Sequence, residues 1–441
     1  VGIGTAGVSS YFYTGISGNG VSEPIGLSIP YPSLDLNFQS MTTLDSRITF
    51  TRASGATYFD SSGVLQTVGN NVARLTYNPT TLAPLGLLIE EQRTNSIRNN
   101  TMQGAVAGTP GTLPTNWQKA ESSSMAVNIV GVGTENGIQY VDVQYVGTAS
   151  ATTSSSIQFE QNSAIAASNG QTWSISSFVK IQSGTTTGIS QIRIGWEERS
   201  GSFLAVQQAV INPTAGVNLS SSRFAFTATN GNASTTFIKP YILFTPINNA
   251  AINITLRIGL PQLEQGAFAT SVIPTTTAAA TRNADVASMT GTNFSSWYRA
   301  DEGTLYSEWV KNGVLSFQSM AQISDGTTNN VIALAHGSGS PNNVRFDINV
   351  NSTNQASLTI VTGSVVGTLY KTIGAYKVND FAAVANAGTV QTDTSGTIPN
   401  TSQFCIGING ALNGGWLNGT IRKIAYYPTR LSNAQLQALT R

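Results

Sequence analysis

Glycoside cleavage needs two carboxyl groups roughly 5 to 9.5 Å apart, one of them raised in pKa. The chain offers Glu197-Glu198, and Asp301-Glu302 with Glu308, as its closest-spaced candidates. Neighbours on a strand point to opposite faces, so Glu197 and Glu198 cannot form such a pair unaided. Calcium needs several oxygen ligands with two or more carboxylates. The C-terminal third has only scattered ones, such as Asp285, Asp325, Asp347, Asp380 and Asp393, and no D-x-D-x-D-G loop. A phosphate-cradling G-x-x-x-x-G-K-S run is also missing. The one histidine, His336, sits in the Gly/Ser-rich run Ala335-His336-Gly337-Ser338. Any histidine metal site or Ser-His-Asp triad would have to use it. Its setting predicts an exposed, inert loop residue. The one cysteine, Cys405, excludes an intrachain disulfide and, between Phe404 and Ile406, is expected to be a small core hydrophobe. The expectation is a non-enzymatic chain without a cofactor.

Binding chemistry is better represented. Sugar recognition on β-sandwiches uses an exposed aromatic ring against a pyranose, surrounded by amides and hydroxyls. Trp416 lies in Asn413-Gly414-Gly415-Trp416-Leu417-Asn418-Gly419. That setting makes Trp416, with Asn413 and Asn418, the glycan-binding candidate; the alternative is a core tryptophan beside the closing strand. A second aromatic group, Tyr11-Phe12-Tyr13, stands in a Gly/Ser/Pro-rich arm with little core-forming pattern. It is the anchoring candidate, unless the rings cover the arm's own neighbouring domain.

Charge bounds the partners. Only 10% of residues are charged, against roughly 25% in an ordinary soluble domain. The formal net charge is +1, so nothing draws the chain to nucleic acid or to an acidic membrane. No run approaches the roughly 18 apolar residues of a membrane span. The opening residues, from Val1 to Gly7, lack a basic n-region and an apolar h-region, which predicts synthesis and assembly in the cytoplasm.

The elements that must position these groups read as strands. Trp173, Ile175, Val179 and Ile181 share one strand face. Ile192, Ile194 and Trp196 share another, with Arg193 and Glu197 facing away. Ile254, Leu256, Ile258 and Leu260 alternate with polar residues and Gly259, as do Val344, Phe346, Ile348 and Val350 with polar residues. Such alternation means half-buried antiparallel sheet. Asn312-Gly313, inside the run from Trp309 to Leu315, predicts a type I′ hairpin. Ser432 with Gln435 predicts a capping box and a short terminal helix. Small-residue linkers at 104–114 and 274–281 divide the chain. The predicted parts are an arm at 1–34, a β module at 35–103, a jelly-roll sandwich at 113–273 and a second sandwich at 285–441. The fold class is all-β and multidomain, with two antiparallel β-sandwiches.

Three stretches resemble known families. Residues 44–95 contain TFTRASGATY, ARLTYNP and GLLIEEQRTN, and resemble a segment that recurs in bacteriophage virion proteins ahead of lectin-like domains. Residues 419–432 run G-x-I-x-x-I-x-x-Y to Leu431-Ser432, and resemble the end of concanavalin-like (laminin-G-like) lectin domains. The middle region, from Trp117 to ITLRIGLPQLEQG, is similar in pattern to carbohydrate-binding-module jelly-rolls. These resemblances imply a tail- or head-fibre or spike protein of the virion that contributes to host attachment by binding a surface glycan. They also imply a homotrimer, with portal, adaptor, tail or capsid proteins as partners. Alternatives are a purely structural capsid-decorating or connector-bound protein, and a glycan depolymerase. Lectin-like relatives often bind calcium, but this chain departs from their acidic pattern.

Overall fold

The computed structural model describes residues 27–121 and 124–441. Tyr11, Phe12 and Tyr13 lie outside the described residues. Among the described residues the named strands pair antiparallel, and the two α-helices are the single turn Thr292–Ser295 and the C-terminal Asn433–Leu439. The all-β class therefore holds.

The chain divides into two compact units. One takes residues 27–51, 85–91 and 285–441 of the described chain; the other takes 52–84 and 92–284. The stretch expected as a separate module at 35–103 is thus shared between two sandwiches. Its strands are too short to bury a core alone: Leu34–Asn37, Thr49–Thr51 and Leu87 to Ile89 pair with strands of 285–441, Arg93–Asn95 pairs with Ala280–Arg282, and Ala56–Phe59 pairs with Leu65–Val68.

The unit holding 92–284 is a sandwich. Its five-stranded sheet runs Arg223–Thr229, Thr172–Gly184, Ala251–Gln265, Ile138–Thr148, Ala126–Glu135. The facing sheet runs Ser202–Ile211, Ile189–Ser200, Phe237–Pro246, Ser155–Gln158, Gln118–Ala120, with Ile165–Ala166 beside Phe237–Pro246. Alternation fills the core between them: Trp173, Ile175, Val179, Ile192, Ile194, Trp196, Ile254, Leu256 and Ile258 belong to one buried cluster. Leu260 departs from its expected face. The register slips between Ser176 and Phe178 opposite this stretch, and Leu260 takes φ 41°. The side chain then packs with Phe178, Ile138, Leu219 and Val272 in a separate cluster. A bulge reverses the face of the residues beyond it.

In the other unit, one sheet runs Gln391–Asp393, Asp380–Ala385, Tyr370–Lys377, Glu302–Lys311, Gly419–Tyr427. The far edge of Gly419–Tyr427 is occupied end to end by two early segments. Leu34–Asn37 pairs with residues 423–426 and Leu87 to Ile89 with 419–421. Gly86 makes this possible: its φ is 99°, and a Cβ there would lie 2.1 Å from the Ile421 carbonyl oxygen. The opposite sheet runs Thr49–Thr51, Val286–Thr290, Gln403–Ile406, Ser319–Ser324, Val331–Gly337, Ser340–Val350, Thr353–Val361.

The Asn312-Gly313 hairpin does not form. Glu302–Lys311 and Ser319–Ser324 belong to different sheets, and the connection between them crosses the sandwich. The Asn312 amide donates to the Asn418 carbonyl instead. The terminal helix has its capping box: the Gln435 amide donates to Ser432 Oγ at 3.4 Å, and Gln435 Oε1 accepts from the Ser432 amide at 2.7 Å. Leu436 is buried under it.

Candidate functional site

The C-terminal loop carries the three residues chosen for sugar binding, and the structure separates their environments. Asn413 is exposed, and its side-chain oxygen accepts from Asn409 Nδ2 at 3.1 Å. Trp416 is half-buried, and its indole N–H donates to the Asp285 carbonyl at 2.8 Å. Asn418 is 1% exposed. Its Oδ1 accepts from the Glu91 amide at 2.8 Å, and its Nδ2 donates to the Trp416 carbonyl at 3.2 Å. The loop is a strap over the outside of the seven-stranded sheet: the Gly410 amide donates to Gln322 Oε1 at 2.7 Å, and its carbonyl accepts from Ser324 and Gln403. Trp416 and Asn418 therefore spend their polar atoms inside the unit. Of the three, Asn413 is exposed, Trp416 half-buried and Asn418 buried.

The candidate carboxylates are engaged too. Glu197 and Glu198 point apart. Glu197 pairs with Arg199 at 2.5 Å and Lys239 at 3.1 Å. Glu198 is buried and accepts from Thr235 Oγ1, Gln207 Nε2 and the amides of Gly231 and Asn232. Burial raises its pKa, but these four donors outweigh burial and hold it below the usual carboxylate range. Its role is to fix the 230–235 loop. Asp301 and Glu302 pair with Arg299, and Glu308 accepts from the Tyr306 hydroxyl at 2.5 Å.

His336 is not an exposed loop residue. It is the penultimate residue of strand Val331–Gly337, fully buried, edge-on to Trp309 with ring centroids 5.4 Å apart. Its Nε2 lies 3.1 Å from Ser364 Oγ, which also accepts from Lys311 Nζ at 2.8 Å. Burial, then the Lys311 charge, pushes the imidazole down to about 4. Nδ1 is buried without a partner. A serine nucleophile needs a base oriented by a third group, and this imidazole has none among the described residues. Cys405 is a buried core residue, as expected, and burial pushes its thiol up to about 11.

A further surface escaped the choice of site residues. On the outward face of the six-stranded sheet, Gly195 stands between Tyr241 and Gln208 on the flanking strands. A Cβ at Gly195 would come within 2.7 Å of Gln208 Cβ. The bare glycine lets Tyr241 reach across its strand, and its hydroxyl donates to Gln208 Oε1 at 2.8 Å. Around this floor stand Arg193, Glu197, Arg199 and Lys239. The period-two reading already turned Arg193 and Glu197 outward. What it could not show was which strands would lie beside them.

Other outward positions form ladders of neutral polar groups. Asn128 donates to Gln144 at 3.3 Å, and Gln144 to Asn253 at 3.2 Å, across three strands. Hydroxyl pairs join Thr172 to Thr229, Ser154 to Thr245 and Thr94 to Thr281, each at 2.8 Å.

No protein-family model matches the chain, and no curated protein matches it. Among solved structures, the CBM40 module of the Ruminococcus gnavus IT-sialidase, bound to alpha2,3 sialyllactose, matches at 13% identity and TM-score 0.30, covering 34% of this chain and 88% of that one. The tandem CBM22 domains of Paenibacillus barcinonensis Xyn10C match at 11% identity and TM-score 0.23, covering 76% and 97%. Domains LG4-5 of the mouse laminin alpha1 chain match at 9% identity and TM-score 0.22, covering 63% and 89%. The likeness is confined to β-rich architecture.

Proposed function

We propose that this chain is a structural component of a bacteriophage particle, a tail or head fibre or spike, which contributes to host attachment by holding a surface glycan without cleaving it. The observation that carries this reading is the 44–95 stretch. Its wording resembles virion proteins, and its strands are built into both sandwich units. The neutral amide and hydroxyl ladders support it. They offer the hydrogen-bonding groups that sugars use, and their strength does not depend on salt as that of ion pairs does. Adhesion by such weak sites becomes firm through repetition on the particle. Its partners are the portal, adaptor, tail or capsid proteins that seat it, other copies of itself in a homotrimer, and the host glycan.

The strapped C-terminal loop favours a second reading for that unit alone. With the Trp416 indole N–H and the Asn418 side chain engaged within the unit, the lectin-like sandwich packs and stiffens, as in a capsid-decorating or connector-bound protein. Antibodies raised against the full chain decide between them. Gold-labelled particles whose adsorption the purified chain competes for support attachment. Labelled particles with adsorption unchanged support decoration. Particles that take no label overturn both.

A further inference from the structure

We propose that the outward face of strands Ile189–Ser200 and Ser202–Ile211 binds a carboxylated sugar, through the Arg193 guanidinium and the Gln208 side-chain amide. This rests on the glycan-binding reading, and gives it a place on the chain and a ligand class.

The argument starts from charge. Arg193, Arg199 and Lys239 stand at this face with one carboxylate, Glu197. Glu197 is committed to Arg199 and Lys239. The Arg193 side chain makes no hydrogen bond or ion pair among the described residues, and the residue is half-buried. The face therefore holds uncompensated positive charge in a chain whose net charge is +1.

Hydrogen-bond bookkeeping gives the same sign. Tyr241 occupies Gln208 Oε1, which leaves the Gln208 NH₂ as the unspent half of that amide. Arg193 is donor-only. A ligand seated here must bring acceptors and negative charge. A planar guanidinium matches a carboxylate through two parallel hydrogen bonds.

Spacing fits a single ring. Arg193 is directly opposite Val210, and Gln208 directly opposite Gly195, on adjacent strands. The two donors are thus diagonal neighbours, about 7 Å apart at the backbone. That is the scale of a pyranose carrying a carboxylate at one end and a hydroxyl at the other. Val206 and Val210 flank Gln208 on the same face, 39% and 49% exposed, and supply an apolar seat for the ring's C–H groups.

The test uses the full chain and four immobilised probes: polygalacturonate, polysialic acid and the carboxyl-reduced form of each. The wild type should bind at least one acidic polymer at least tenfold more tightly than its reduced form. Which polymer binds distinguishes a hexuronate from a nonulosonate. Arg193→Gln should lose at least tenfold, with its melting temperature kept, because no internal partner is removed. Val210→Glu places a carboxylate opposite Arg193 and should abolish binding independently. Arg345→Gln, a cation of the other unit, should change nothing. Three results would overturn the proposal. One is equal binding of acidic and reduced polymers, which leaves glycan binding intact. Another is equal loss in Arg193→Gln and Arg345→Gln, which would mean diffuse attraction. The third is full binding by both Arg193→Gln and Val210→Glu. Failure to bind any glycan, neutral or acidic, would remove the parent reading as well.

Discussion

At the scale of single residues, Trp416 shows how one hydrogen bond changes a reading. Its loop is glycine-rich and looked able to present an indole, yet the N–H is tied to Asp285. Trp416→Phe keeps the ring and loses that bond, and should cost about 1 kcal/mol of stability. Trp416→Ala also empties a half-buried site, and should cost about 2 to 4 kcal/mol. Denaturant titration with tryptophan-independent circular dichroism measures both. Unchanged stability in both variants would free the indole for ligand.

His336 sets a pH dependence. Its folded pKa, about 4, lies below the ordinary value of 6.5. Between those values the unfolded chain binds more protons, so stability is full above about pH 6.5 and falls as pH drops toward 4. The loss should reach about 3 kcal/mol. Unfolding at pH 7 and pH 4.5 should show it in the wild type, and His336→Gln should flatten that part of the profile. The buried setting was hidden because Gly337-Ser338 reads as loop. The turn is real, but it comes at Ser338-Gly339, and the strand carries His336 inward first. Cys405 was legible because apolar neighbours on both sides leave little alternative.

At the scale of elements, alternation placed the core faces at 173–181, 192–196 and 344–348, because solvent on one side of a sheet and core on the other leaves a period of two. It could not foresee the register slip that turns Leu260 over, since a bulge is decided by the neighbouring strand. Nor could it see that Asn312-Gly313 joins two sheets. Local turn chemistry is indifferent to which sheet the next strand enters. The capping box was fully legible because both its bonds are local. Ser432→Ala should cost about 1 kcal/mol, read from the thermal unfolding of the unit that holds the helix. Gly86→Ala should be far worse. A positive φ and a clash with the Ile421 carbonyl should detach the segment Leu87 to Ile89 and lower the melting temperature of that unit alone. A normal melting profile would show that the strand edge can shift to admit a methyl group.

At the scale of the whole molecule, the unit ending at Arg441 is discontinuous in sequence. It needs Leu34–Asn37, Thr49–Thr51 and residues 87–89 to complete its sheets. A fragment of 285–441 should therefore aggregate or stay unfolded. A chain joining 27–91 directly to 285–441 should fold, with 52–84 carried as an insert that belongs to the other unit, because the Asp285 amide already lies 2.9 Å from the Glu90 carbonyl. Size-exclusion chromatography and circular dichroism separate these outcomes. Of the arm expected at 1–34, Leu34 belongs to a strand and the described residues begin at 27, so the test of the arm removes residues 1–26. This spares Ser33, whose hydroxyl donates to the Trp297 carbonyl, and Leu34 in its strand. Both units should keep their melting temperatures; on the virion reading proposed above, incorporation into particles should be lost.

The shared edge of Gly419–Tyr427 also sets a timetable. A ribosome delivers Leu34 long before Tyr426, yet the two are paired. The sandwich assigned to 92–284 has all its strands once residue 284 has emerged. The other must hold Leu34–Asn37 and Leu87 to Ile89 unpaired until residues 419–427 have emerged. Such long-range closure is slow and leaves strand edges open to neighbouring chains. When several ribosomes translate one message, nascent copies lie side by side with the same edges waiting. The last strand of one chain then competes with that of the next for the same early segments, so slower elongation past residue 285 prolongs the wait and should lower the yield of correctly closed protein.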